Sequence, residues 1–248
     1  MITTGQPYSS ATKTEIVDVV NGETCSHLAD FPVEIWGAVG ANLHGKPVVC
    51  GGSYSSTYYQ KCYIFTSSVW QEFATMKKNR WRAAGVMFKN KFHIFGGYSH
   101  LDSYGSLRTS EILSIGGEVV YGPDLPTGIW RHAITAINES VSILSGGWTD
   151  YNLYSDQTWY FNHETQTFSP GPNLLVGRRG HSSATNVDKV TKAKIPVVSG
   201  GAIRGFNVTI DYVDSTELLI NGQWQPGTNQ CKKKQSVLFS LVLSICLT

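Results

Sequence analysis

Five cysteines are the residues of this 248-residue chain best suited to covalent chemistry. No two of them stand as Cys-x-x-Cys, so the usual redox or zinc motif is missing. Cys50 directly precedes a glycine pair, and Cys62 opens the next predicted strand. Neighbouring strands bring Cα atoms within the range that a disulfide spans. A Cys50–Cys62 bridge would indicate an oxidising compartment; the alternative is two buried free thiols that pack as small apolar groups.

Metal or redox chemistry would need histidines and tyrosines that converge, and their spacing shows no such arrangement. The chain has seven histidines and twelve tyrosines, and no two histidines stand as His-x-x-x-His. His132 and His181 follow arginines at comparable places, which favours a structural role for both. We therefore predict no metal ion, no cofactor and no catalytic residue.

Three arginines recur at intervals along the chain: Arg82, Arg131 and Arg179. A catalytic group is needed once, so a residue that returns at regular intervals is better explained by structure. The functional alternative is a ring of arginines around a pocket for an acidic peptide, because arginine clusters recognise acidic motifs.

Short hairpins that repeat along the chain would position these residues. The apolar runs 83–88 and 92–95 flank a short polar turn and end at a glycine pair, which is a hairpin pattern. Similar patterns end at three more pairs, and the first glycines of successive pairs lie 45, 50 and 54 residues apart. Glycine at a strand end permits a bend and close backbone packing. The four pairs are Gly51 and Gly52, Gly96 and Gly97, Gly146 and Gly147, and Gly200 and Gly201.

A second predicted hairpin follows each glycine pair. Its turn is Gly116-Gly117 in one unit and Asn221-Gly222 in another, and both dipeptides suit turns that need positive φ. Each unit therefore holds four short strands. Four strands in a period of about 45–54 residues are typical of a β-propeller blade. We predict an all-β fold.

Residues 1–228 resemble Kelch repeats, the family of β-propellers to which galactose oxidase-type propellers are related. The resemblance depends on the glycine pairs, the three upstream arginines, the pairs Ser110-Glu111 and Thr216-Glu217, and the late aromatics Trp70 and Trp224. It implies four-stranded antiparallel blades around a central channel. It also implies that the three arginines lie near blade interfaces and bond backbone carbonyls of the next blade.

Five recognisable units fill this region. A partial unit spans about 1–32, and fuller ones span about 33–77, 78–126, 127–174 and 175–228, while the tail 229–248 repeats nothing. The tail carries a lysine run and a short apolar segment. Propellers of the resembled family usually close with six blades, so we expect an open ring and an incomplete chain.

The composition argues against a nucleic-acid partner and against a membrane-spanning helix. The net charge is +2, and three of the lysines are the run 232–234, so the rest of the chain is near neutral and favours no nucleic-acid partner. No apolar run reaches the length of a membrane-spanning helix. Asn138 and Asn207 stand in glycosylation sequons, which matter only in a secreted protein. The compartment stays open between cytoplasmic and secreted, and a Cys50–Cys62 bridge would favour secretion.

The loops after the glycine pairs predict the function. They differ in length and are rich in Tyr, Ser, Asp and Gly, a mixture suited to adaptable recognition. We expect a non-catalytic module that binds a partner protein through these loops. The alternatives are a secreted adhesion-type Kelch module and, with less support, a propeller enzyme of the oxidase or sugar-epimerase type. The loops are 53–60, 98–108, 148–156 and 202–214.

Overall fold

The computed structural model describes residues 2–3, 12–17, 24–25, 28–103, 105–150, 153–188, 191–204 and 210–227. Within these ranges the chain forms 25 β-strands and no helix. Accordingly, none of the described residues belongs to a helix long and apolar enough to cross a membrane. The predicted all-β class is confirmed. The tail 229–248, Asn207 and most of the partial unit 1–32 lie outside the described residues.

The described strands form one three-stranded sheet, four sheets of four antiparallel strands and three two-stranded pairs. The three-stranded sheet contains β1 (Ile2–Thr3), β2 (Thr14–Val17) and β3 (Thr24–Cys25). Sheet I contains β4 (Val39–Leu43) and β5 (Lys46–Cys50), then, after the hairpin of β6 (Ser53–Tyr54) and β7 (Thr57–Tyr58), β8 (Lys61–Thr66) and β9 (Val69–Thr75). Sheet II contains β10 (Ala84–Phe88), β11 (Lys91–Phe95), β12 (Ser110–Leu113) and β13 (Val119–Tyr121).

The two later sheets repeat this plan, and each is accompanied by a short two-stranded pair, as sheet I is. The short strand β14 (Ile129–Trp130) precedes β15 (Ala133–Ala136) and β16 (Val141–Ser145), and it pairs with β17 (Trp148–Thr149). Sheet III is completed by β18 (Thr158–Asn162) and β19 (Thr167–Pro170). Sheet IV contains β20 (Ser182–Val187) and β21 (Lys194–Ser199), then, after the pair β22 (Ala202–Arg204) and β23 (Ile210–Tyr212), β24 (Thr216–Ile220) and β25 (Gln223–Pro226).

Two-residue turns set the register of several hairpins. Lys89 and Asn90, at φ 43° and 60°, join β10 to β11, and Asn221 and Gly222, at 52° and 76°, join β24 to β25. Positive φ at both central residues gives a turn whose twist matches that of the strands. The turn predicted at Gly116-Gly117 is longer, because β12 ends at Leu113 and β13 begins at Val119.

The four sheets stack side by side, with their first strands adjacent. Strand β4 lies beside β10, β10 beside β15, and β15 beside β20. Each interface buries its own apolar core, formed by Val48 and Ile94 between sheets I and II and by Phe95 and Leu144 between II and III. A third core between sheets III and IV includes Val198. Burying each such side chain contributes roughly 1.5–3 kcal/mol. The architecture is propeller-like, with sheets held together by their faces.

Candidate functional site

One position in each of the four sheets, just before its first strand, defines the centre of the candidate site. The residues are Gly37, Arg82, Arg131 and Gly180, and we call them the axial residues. All four have positive φ, at 66°, 54°, 56° and 65° in that order. The N–H of Arg82 donates to Gly37 O at 2.7 Å, the N–H of Arg131 to Arg82 O at 3.0 Å, and the N–H of Gly180 to Arg131 O at 2.7 Å. A continuous run of backbone hydrogen bonds therefore links the four sheets.

This run of backbone hydrogen bonds shows that Arg179 does not align with Arg82 and Arg131 in the repeat. Arg179 precedes the axial residue Gly180, so it occupies the position of Trp81 and Trp130 in the earlier sheets. The β-bridges agree, because Trp81 pairs with Tyr98 and Arg179 pairs with Ala202 at comparable places. The three arginines therefore do not share one repeat position: Arg82 and Arg131 do, and Arg179 lies one residue earlier.

The loops that follow the glycine pairs lie on the same face as the axial residues. Bridges join Trp36 to Ser53, Trp81 to Tyr98, and Trp130 to Trp148, so each loop begins against the residue that precedes an axial position. This face therefore brings together segments that are about fifty residues apart in the sequence.

Aromatic rings from successive sheets meet on this face in an unbroken series. Trp36 lies edge-on to Trp81 with ring centroids 4.7 Å apart, Trp81 is 5.2 Å from Trp130, and Trp130 stacks on Trp148 at 5.0 Å. Tyr154 continues the series at 5.7 Å from Trp148. Further rings flank the series, and the whole group with its arginines is called here the aromatic–arginine cluster. Its members are Trp36, Tyr58, Trp81, Arg82, Tyr98, His100, Trp130, Arg131, Trp148, Tyr154 and Arg179.

The guanidinium groups of the cluster lie against pairs of these rings. Arg82 lies 4.9 Å from the Trp36 centroid and 4.8 Å from that of Trp81. Arg131 lies 5.7 Å from Trp81 and 4.8 Å from Trp130. Such cation–π contacts contribute roughly 0.5–2 kcal/mol each. Because each pair of rings spans two sheets, these contacts tie neighbouring sheets together on the loop face.

Arg179 has the closest contact of the three, at 3.9 Å from the Trp148 ring centroid and 4.8 Å from that of Tyr154. Burial, followed by the charge of Arg179, lowers the pKa of Arg82 to about 10. Burial lowers the pKa of Arg131 to about 9, and the charges of Arg82 and Arg179 act in the same direction. Three like charges therefore share one partly dry site.

A small cavity of about 40 Å³ lies at the axial residues, just before the first strands of sheets I, II and III. Its lining residues are Gly37, Ala38, Arg82, Ala83, Arg131 and His132. Among the described residues, no group of three or more His, Cys, Asp or Glu side chains is placed to hold a metal ion.

Arg80 and Arg178, which the sequence analysis did not select, bond backbone carbonyls through their side chains. Nη1 of Arg80 donates to Gly96 O and to Thr109 O, both at 2.7 Å, and its Nε donates to Glu111 at 2.9 Å. Both members of this ion pair are fully buried. These carbonyls belong to the arginine's own sheet, whereas the resemblance implied bonds from Arg82, Arg131 and Arg179 to the next blade.

Arg178 repeats the arrangement in sheet IV. Its Nη1 donates to Gly200 O at 2.9 Å and to Ser215 O at 3.0 Å, and its Nη2 pairs with Glu217 at 2.6 Å. The sequence signal was the Ser/Thr-Glu dipeptide combined with an arginine that stands two residues before an axial position. Arginine suits this role because its planar fork offers five donors.

The glycine pairs connect neighbouring sheets through their backbone. Gly96 donates to Thr109 O in its own sheet at 3.1 Å, and Gly97 donates to Ile129 O in the next sheet at 2.9 Å. A Cβ on Gly96, whose φ is 56°, would lie 2.4 Å from Ile129 O. In the other sheets Gly51, Gly146 and Gly200 donate within the sheet, Gly52 and Gly147 donate to the next sheet, and a Cβ on Gly201 would lie 2.8 Å from Arg179 O.

The structure also shows the contacts of the predicted cysteines, late tryptophans and Asn138. Cys50 and Cys62 face each other on β5 and β8 and form a buried disulfide with Cα atoms 4.0 Å apart. The indole of Trp70 donates to Thr14 Oγ1 at 2.9 Å, and that of Trp224 donates to Pro172 O at 3.0 Å. Asn138 is exposed in the turn between β15 and β16, where its Oδ1 accepts two backbone N–H groups.

The buried histidines fill positions between sheets. His132 and His181 each follow an axial residue, where sheets I and II carry Ala38 and Ala83. Burial lowers the pKa of both imidazoles to about 3, helped at His181 by the charges of Arg178 and His132. Nε2 of His181 lies 3.0 Å from Ser145 Oγ, but both side chains are buried, so solvent cannot reach this serine.

Comparison with known proteins gives evidence for the fold alone. No protein-family model matches this chain, and no curated protein matches it. Among 192 chains of solved structures that match, the structure of YjhT superposes with a TM-score of 0.73 at 13% sequence identity. The match covers 85% of this chain and 76% of YjhT. At this identity the likeness extends to the arrangement of strands and sheets and no further.

Proposed function

We propose that this chain is a Kelch-type β-propeller module that binds a partner protein through its loop face. In this proposal the four sheets are blades, the three-stranded sheet is part of a fifth, and the module is not an enzyme. The observation that carries it is the convergence of post-glycine loops from successive sheets around the aromatic–arginine cluster. Tryptophan, tyrosine and arginine are the side chains that most often dominate binding at protein interfaces.

Exposed apolar side chains surround this cluster. Leu101 is 77% exposed, Leu153 50%, Ile210 50% and Tyr212 59%, and each belongs to one of the post-glycine loops. Solvent-facing apolar residues grouped on one face mark interaction sites. An apolar rim around an aromatic centre suits a protein surface.

Photo-crosslinking from defined positions tests the proposal. A photoreactive amino acid replaces Leu101 on the loop face or, as the matched control, the 52%-exposed Ile115 in the turn between β12 and β13 at the other end of sheet II. The expected result is a discrete protein adduct from position 101 that excess unlabelled protein abolishes, and none from position 115. Equal adducts from both positions, or none from either, would contradict the proposal.

The Cys50–Cys62 disulfide supports secretion as the setting for this function, since such bonds persist in oxidising compartments. A secreted form makes a glycan at the exposed Asn138 the matching expectation. Mass spectrometry of the protein isolated from its native source checks both marks at once.

A further inference from the structure

Several buried N–H donors of the aromatic–arginine cluster have no acceptor. In the part of the chain that the structure describes, Nε of Arg131, Nε and Nη1 of Arg179, and the indole nitrogens of Trp81 and Trp148 are buried without a hydrogen-bond partner. A buried donor that is left unpaired costs free energy comparable to a lost hydrogen bond. Arginine and tryptophan side chains only donate, so a group that only accepts would satisfy them.

A cavity that Arg131 lines has room for one small anionic group. It measures about 40 Å³ and is lined by both axial arginines. This volume exceeds the roughly 10–15 Å³ that one water needs, so the cavity has room for a small group such as a carboxylate. Its other lining residues are a glycine, two alanines and a buried histidine, so among the described residues no carboxylate lines the cavity with Arg131.

Two of the residues with positive φ lie at the same place. Arg82 and Arg131 hold φ near 55°, in a region that side-chain-bearing residues seldom adopt, at positions where sheets I and IV have glycine. Strained residues of this kind concentrate at ligand-binding sites. The chain thus has arginine at two positions where glycine would fit the backbone better.

We propose that this cavity binds a carboxylate, with Arg131 as its main ion-pair partner and Arg82 and Arg179 as supporting charges. The proposal rests on the protein-binding function above, and it assigns the carboxylate to an acidic side chain of the partner. An arginine fork bonds a carboxylate with two parallel hydrogen bonds, which gives orientation as well as attraction. The surrounding tryptophan rings exclude water and strengthen this pairing.

Binding to synthetic probes tests the inference. Calorimetry compares a nonapeptide that has two central glutamates and apolar flanks with its glutamine counterpart, and a third titration uses sodium glutarate. We expect the glutamate peptide to bind at least tenfold more tightly than the glutamine peptide. We expect Arg131→Gln to remove this preference, because the charge-assisted hydrogen bonds are lost. Binding should weaken as salt is raised.

Two further variants control the measurement. Lys46→Gln removes a positive charge from an exposed side chain at the start of β5, at the end of sheet I away from the loop face, and it should leave the preference unchanged. Arg131→Gly tests the site without risk to the backbone, because Gly37 and Gly180 already occupy the equivalent positions. It should lose the preference as Arg131→Gln does.

Each other outcome overturns a stated part of the proposal. Equal binding of the two peptides, or no effect of either Arg131 variant, refutes the carboxylate site. Binding of glutarate without the peptide assigns the cavity to a free small carboxylate and refutes the assignment to a partner side chain. If the adduct at position 101 persists in Arg131→Gly while glutamate preference is absent from the wild type, this inference fails and the protein-binding function stands.

Discussion

Sheets II and IV differ from sheets I and III at one internal site of the repeat. In sheets II and IV it holds the buried ion pairs Arg80–Glu111 and Arg178–Glu217. In sheet I the matching residues are Ile35 and Tyr63, and in sheet III they are Ile129 and Trp159. These four pack in apolar cores instead. One backbone plan therefore accepts either a charged pair or an apolar–aromatic pair.

The difference shows that the fold depends on the backbone connections and not on this side-chain pair. The glycine pairs make the same bonds to the next sheet whichever pair is present: Gly52 donates to Arg80 O, and Gly97 to Ile129 O. A buried ion pair is not in itself a strong source of stability, since removing two charges from water offsets their attraction. The ion pair matters most when only one partner is substituted, because the remaining charge is then buried without its counter-charge and the fold is destabilised.

Breaking one charged pair should give the largest effect on stability. Glu111→Gln leaves the guanidinium of Arg80 buried without its counter-charge, and we expect a loss of about 3–5 kcal/mol in the free energy of unfolding. Urea denaturation measures it. The double variant Arg80→Ile with Glu111→Tyr copies sheet I and should recover most of this loss. A double variant no more stable than Glu111→Gln would show that the two kinds of sheet are not interchangeable.

Removing the disulfide from sheet I should have the next largest effect. Sheets III and IV place Ser145 opposite Thr158 and Ser199 opposite Thr216 where sheet I has the two cysteines. The double variant Cys50→Ser with Cys62→Thr copies them and should lose about 2–4 kcal/mol, because the unfolded chain gains freedom. Its thermal unfolding should not respond to dithiothreitol, while that of the wild type should. Equal responses would exclude the bridge as the cause.

Acid should act most strongly at sheets III and IV, although sheet II also holds a buried histidine, His93, whose pKa burial lowers to about 4. His132 and His181 have pKa values near 3 in the folded protein, against about 6.5 when unfolded, so the unfolded state binds protons first as pH falls. Stability is therefore complete above about pH 6.5 and falls toward pH 3, by up to about 1.4 kcal/mol per pH unit for each histidine. His132→Ala, which copies Ala38 and Ala83, should flatten this slope in pH-dependent urea unfolding. An unchanged slope would remove His132 from the explanation.

The smallest effect concerns the late aromatic of sheet I. Trp70→Phe should cost about 1 kcal/mol, because it removes the hydrogen bond from the indole to Thr14 Oγ1 and keeps most of the packing against Phe31. In sheet III the corresponding late aromatic is Phe168, which packs on Phe161 with ring centroids 4.7 Å apart. Thermal unfolding of Trp70→Phe beside Phe168→Leu checks whether the indole or the ring carries the contribution.

The strands could be predicted because their signals are local. Asn221-Gly222 and the glycine pairs fix turns within a few residues, so the hairpins of sheets II and IV follow from short stretches of sequence. The Cys50–Cys62 bridge, left open by the sequence, follows from their facing positions in the register of β5 and β8.

The candidate site could not be predicted in the same way, because its contacts join residues from different sheets. Trp36, Trp81 and Trp130 are separated by more than forty residues, and only the stacking of sheets brings their rings together. The offset of Arg179 has another cause. In Trp-Arg-His and Arg-Arg-Gly-His, the alignment of Arg131 with Arg179 puts the histidines out of step by one residue. The φ of Gly180 and its bond to Arg131 show that the histidines, and not these arginines, mark the shared position.

The backbone run through the axial residues has a practical consequence for redesign. Its hydrogen bonds involve main-chain atoms alone, and the chain already carries both glycine and arginine at this position. The hydrogen bonds that link the sheets at these positions therefore do not depend on which side chain is present, although the cation–π contacts of Arg82 and Arg131 do. Other side chains introduced at positions 82 and 131, which already carry one, should alter what the face selects and leave the scaffold in place, whereas a Cβ on Gly37 would lie 2.4 Å from Trp81 Nε1.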